Sequence, residues 1–133
     1  MNKQTTKKFE RAFLGIVILM TVHIPLLLLS AYNIWPEIDI PMHFFGGFVI
    51  GLLAVALYEL AGMRGAWWGR ALFVIGGAAM VAILWEMHEF GLDALILDAG
   101  AGVRTQLSLR DTIGDLAIGL VGGGAAYLVC ARS

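Results

Sequence analysis

Residues 41–61 read PMHFFGGFVIGLLAVALYELA. A bilayer's hydrocarbon core is about 30 Å thick, and an α-helix of about 20 apolar residues crosses it. This run has that length, and its one proline stands in what would be the first helical turn, where a helix tolerates it. Three further stretches share its character: Ala12–Ser30, Ala71–Gly91 and Thr112–Cys130. Only helices or closed barrels satisfy the backbone in lipid, and none of the four stretches carries the turns of barrel strands. The expectation is an all-α, four-helix transmembrane bundle forming one domain over residues 1–133.

Composition agrees. The chain is 59% hydrophobic and 14% charged, with a mean hydropathy of +0.82. A soluble domain carries roughly 25% charged residues, so polar surface is too scarce to cover a water-soluble globule. The first apolar stretch follows a basic segment, as a signal peptide would, but its core is longer than a signal's and no small-residue cleavage site follows. It reads as a retained helix. The single Cys130 excludes an intramolecular disulfide.

The charges are unevenly placed. Lys3, Lys7, Lys8, Arg11, Arg64, Arg70 and Arg132 fall on one side of the expected bundle, seven of the nine basic residues. Loops rich in Lys and Arg stay in the cytoplasm, so both termini are expected inside. Glu37, Asp39, Glu86, Glu89, Asp93, Asp98, Asp111 and Asp115 gather at the opposite end, accompanied by Arg104 and Arg110.

A faint parallel repeat relates helices two and four. Asp39-x-x-x-His43-x-x-x-Gly47-x-x-x-Gly51 matches Asp111-x-x-x-Asp115-x-x-x-Gly119-x-x-x-Gly123. Residues four apart share a helix face, and glycines at this spacing let membrane helices approach closely. The pattern predicts that the two helices meet through their glycines, or pack on a common neighbour, and bring their polar ends together. Helix three adds Glu86 and Glu89 on one face. His88 lies part-way round the helix, and His23 comes at similar depth on helix one. Trp35 and Pro36 mark an interfacial turn between the first two helices.

Carboxylates within a membrane are costly and usually mark function. Several in one place repel each other unless protons or a cation intervene. Pairs of carboxylate and imidazole from facing helices are how bundle metal sites are built. The expected ligands are therefore Asp39, His43, Glu86, Glu89, Asp111 and Asp115. A mostly oxygen donor set of this kind suits Mg, Mn, Fe or Zn. Arg104 and Arg110 are candidates to hold an anionic substrate group.

Plainer readings stand beside this one. Asp39 and Asp111 fit helix caps, the latter in a Ser108-x-x-Asp111 capping box. Glu86 and Asp115 could pair with Arg104 or Arg110, and His43 could be a neutral packing residue. No phosphate-binding loop, H-E-x-x-H, nucleophile elbow or basic nucleic-acid patch is present. No two histidines sit on paired helices at matched depth, as a bis-imidazole haem would need.

Asp39-x-x-x-His43-Phe44 followed by a glycine-rich helix resembles the signature of the VanZ-like bacterial membrane proteins. Trp85-Glu86-x-x-Glu89-Phe90, Gln106 and Asp111-Thr112-x-x-Asp115 are similar to the YjdF-like inner-membrane proteins. The likeness covers helices two to four and implies a small polytopic protein of the bacterial cell envelope. Ile40 departs from the VanZ pattern, where Lys often follows the first Asp, and four helices are fewer than many relatives have.

Two functional expectations follow. One is an inner-membrane protein with an outward-facing divalent-metal site acting on an envelope lipid or glycan precursor. The other is a proton or cation transporter or accessory subunit, either as a homo-oligomer or beside a partner membrane subunit. A third, purely structural, reading leaves a bundle with ion-paired helix ends. Whether the chain is an enzyme is left open at this level.

Overall fold

The low charge content and the four apolar runs resolve into helices in the computed structural model, which describes residues 3–97 and 108–131. Arg104, Asp98, Gln106 and Arg132 lie outside these residues. The elements are α1 (Lys3–Leu28), a short α2 (Ala31–Ile34), a 3-10 turn (Pro36–Ile38), α3 (Asp39–Leu60), α4 (Trp67–Leu92) and α5 (Leu109–Ala131), with a wider π-type turn over Asp93–Leu97. Among the described residues there is no strand. Four of the helices are long and apolar enough to cross a membrane.

Each long helix extends past its apolar run. α1 begins at Lys3 instead of Ala12, and α4 at Trp67 instead of Ala71. α5 starts at Leu109 instead of Thr112, and α3 at Asp39 instead of Pro41. Backbone hydrogen bonding does not stop where hydropathy does, so Lys7, Lys8 and Arg11 ride on α1, and Arg70 stands in the first turn of α4 rather than in a loop. α3 closes at Gly62, whose φ of 65° favours glycine. The Gly62 N–H donates to the Glu59 carbonyl and the Met63 N–H to that of Tyr58.

Contacts fix the directions. Gly47 faces Gly119 and Gly51 faces Gly123. The residue numbers rise together, so α3 and α5 run parallel, as the repeat predicts. Ala82 lies against Gly119 and Ala78 against Gly123, so α4 is antiparallel to α5. Lys8 meets Glu59 and Gly15 meets Val49, so α1 is antiparallel to α3. α3 is the central helix, and α1, α4 and α5 all pack on it.

The interior is built from small residues. Ala12, Ala54, Val55, Ala56, Val74, Ala78 and Ala126 are buried, while Phe13, Leu72, Leu84 and Val121 point outward. In lipid, hydrophobicity does not drive helices together, and close packing of small side chains takes its place. An added Cβ at Gly47 would collide with the Gly119 backbone, and one at Gly122 with the Phe44 carbonyl. The α3–α5 pair is thus in backbone contact, which sets the separation of the polar groups at its start.

Candidate metal centre

The parallel start of α3 and α5 and the antiparallel end of α4 converge on one end of the bundle. Asp39 occupies the first turn of α3, and His43 lies one turn on. Their side chains share a face, with His43 Nε2 and Asp39 Oδ1 3.3 Å apart. Asp115 is the α5 counterpart of His43, and its Oδ1 lies 4.0 Å from Nε2. Glu86 on α4 supplies Oε1 at 3.9 Å. His43, Glu86, Glu89 and Asp115 are all buried and Asp39 is half-buried.

Two sets of donor atoms each lie within 4.8 Å of one another: Asp39, His43 and Asp115, and His43, Glu86 and Glu89. His43 is common to both. Five of the six expected ligands are therefore brought together. Asp111, the sixth, is not in either set among the described residues. It sits at the third position of α5, where its backbone N–H donates to Ser108 Oγ at 3.2 Å. Ser108 is thus the helix cap that the capping-box reading predicts. Asp39 is not a cap: Ile38 holds that position, and no side chain caps α3.

Around the cluster, Trp85 donates from Nε1 to Glu89 Oε1 at 2.9 Å, which holds that carboxylate in place. His23 is buried, and its Nδ1 shares a hydrogen bond of 2.8 Å with the Tyr32 hydroxyl. Its ring stands edge-on to Trp85, with centroids 5.0 Å apart. Burial, with smaller contributions from Asp39 and Glu89, pushes the Tyr32 phenol above its usual range, so it stays neutral. His88 is exposed on the far side of Trp85. Arg110 is exposed at the start of α5, and Arg104 lies outside the described residues.

A family model described as predicted membrane protein (DUF2238) matches residues 8–133. The chain belongs to the DUF2238 family. No curated protein and no solved structure matches it.

This DUF2238 protein has a second polar centre, at the opposite, basic end, that the charge pattern did not single out. Glu59, near the end of α3, accepts from Lys8 Nζ at 2.7 Å and Arg70 Nη2 at 2.9 Å through Oε1. Thr5 Oγ1 donates to its Oε2 at 3.1 Å. The legible signal was that only two carboxylates, Glu10 and Glu59, fall on the basic side, and Glu59 alone stands at the end of a span. Here Glu59 ties α1 and α4 to α3. Removing one partner of such a cluster leaves cations uncompensated, and partial exposure reduces the cost below that of a fully buried pair. Glu59→Ala is expected to lower stability by about 2 kcal/mol, measured by thermal unfolding in detergent, with the acidic cluster unaffected.

Proposed function

We propose that the acidic end of this multi-pass membrane protein binds a divalent cation, with Asp39, His43, Glu86, Glu89 and Asp115 as its ligands. The observation that carries the reading is that His43 belongs to two buried sets of donor atoms whose members lie within 4.8 Å of one another. Ligands about 2.1 Å from one ion stand about 3.0 Å apart at right angles and about 3.4 Å apart at tetrahedral angles. Of the spacings around His43 Nε2, 3.3 Å already fits, and 3.9 and 4.0 Å need side-chain closure of about 0.5–1 Å. The cation would also relieve repulsion among four crowded carboxylates.

In this reading the protein lies in the bacterial inner membrane with its basic end in the cytoplasm, following the distribution of Lys and Arg. The metal faces outward, toward lipid-linked envelope precursors. A water on the ion would supply a nucleophile, and one carboxylate could act as its general base in a hydrolytic or transfer reaction. Arg110, exposed at the start of α5, and Arg104 would hold an anionic headgroup. Transport of protons or cations is the weaker reading: below His43 the adjoining cavity is walled by Ile16, Leu19, Val49, Ile50 and Ala78, which offer no polar relay.

Elemental analysis of the detergent-purified protein, before and after chelation, tests the proposal. One equivalent of Mg, Mn, Fe or Zn is expected, and Glu89→Ala is expected to lower it severalfold. Absence of metal after reconstitution with all four ions would rule the reading out.

A further inference from the structure

Beneath the cluster lies a cavity of about 260 Å³ between α1, α3 and α4, with Gly119 of α5 at its edge. Its walls are Ile16, Leu19 and Met20 of α1, and Ala78, Val81 and Ala82 of α4; Gly46, Gly47 and Ile50 of α3 form its floor. Gly46 leaves its part of the lining without a side chain, and a Cβ there would point at Leu19 across the space. Its polar groups, Asp39, His43, His23 and Trp85, all lie at the acidic end. α1 packs principally on α3 and reaches α4 through the His23–Trp85 ring contact. The slot below that contact therefore faces the surrounding hydrocarbon.

We infer that this slot holds one hydrocarbon chain of a bilayer lipid, with the lipid's headgroup at the acidic cluster. Three observations converge on that occupant. A buried water needs two to four polar partners, and the walls below the cluster supply none. An empty cavity would forfeit dispersion contacts along its whole lining. Length agrees as well. The lining runs from Ile16 to His23 on α1, from Asp39 to Ile50 on α3 and from Ala78 to Trp85 on α4. At 1.5 Å per residue these spans are about 10 to 17 Å long, the length of a stretch of one hydrocarbon chain. The headgroup half of this inference rests on the cation reading, and the chain half does not.

The test uses the full chain in phosphatidylethanolamine and phosphatidylglycerol vesicles containing a phosphatidylglycerol whose palmitoyl chain carries a mid-chain diazirine. Insertion sites after irradiation are mapped by mass spectrometry. Labelling is expected at Leu19 and Met20, and is expected to fall at least fivefold in Gly46→Leu and in Val81→Phe, which fill the slot from two different helices. A Cβ at Gly46 meets only Leu19 Cδ2, at 3.7 Å, so the larger side chain has room to enter the slot. Labelling of the outward Leu128 and Val129 should not change, which reports an intact bundle. Equal labelling of Leu19 and Met20 in the wild type and in a folded filled variant would overturn the inference. So would their crosslinking to a second copy of the chain in place of lipid. Metal content, read on the same samples, separates the two readings. Metal with unchanged labelling refutes the lipid chain alone, and slot-dependent labelling without metal refutes the cation alone.

Discussion

Gly47→Val should prevent α3 and α5 from assembling. A Cβ built on Gly47 meets the Gly119 carbonyl oxygen, its carbonyl carbon at 2.7 Å and its Cα at 2.9 Å. All three are backbone atoms on a neighbouring helix, so no rotamer change relieves the clash and the helices must separate. Overpacking of a close-packed interior costs about 1–3 kcal/mol and occasionally more. A β-branched side chain against a backbone belongs at the upper end, about 3 kcal/mol or beyond, a large share of a typical stability of about 5–15 kcal/mol. The adjacent position is the control: Gly46→Ala gains a methyl in ordinary contact with Leu19 and is expected to change stability by less than about 1 kcal/mol. Thermal unfolding in detergent, followed by circular dichroism, distinguishes the two. Equal stability of both variants would show that the glycine contact does not hold the bundle together.

Loss of metal is the second large expected effect, and His43→Ala should produce it most completely. His43 Nε2 is the one donor shared by both ligand sets, and it is the cluster's only imidazole. Removing a second-shell partner of a metal ligand commonly costs 10- to 100-fold in affinity, so loss of this shared ligand should weaken binding by about 100-fold or more. His88→Ala is the matched control, because His88 is exposed beyond Trp85 and its loss should leave metal content unchanged. Binding should also weaken as pH falls, since protons compete with the ion for imidazole and carboxylates. Titration calorimetry on apo-protein measures both effects. An unchanged dissociation constant in His43→Ala would remove His43 from the site.

Both predictions start from residues visible in the sequence, because both rest on helical periodicity. Asp39, His43, Gly47 and Gly51 fall on one stripe by their spacing alone, and so do Asp115, Gly119 and Gly123. Glu86 and Glu89 share a face for the same reason. The cluster's membership was therefore largely legible, and so was the parallel pairing of α3 and α5. The helix ends were less so. Hydropathy marks where lipid ends, while hydrogen bonding and capping decide where the helix ends, and this is why Asp39 starts α3 without capping it.

The class of fold, the four spans, the segregation of acidic from basic residues and the polar face of each helix can be read from the chain alone. These are local properties, set by composition and by a 3.6-residue period. The packing of the helices adds that Asp111 stands apart while Asp115 joins His43, that Glu59 gathers Lys8 and Arg70, and that α1 and α4 leave an apolar slot over Gly46. Those outcomes depend on how near one helix comes to the next. Close approach at Gly47 and Gly119 sets that distance: the glycine spacing shows which faces can meet, and only the packed helices show how near they come.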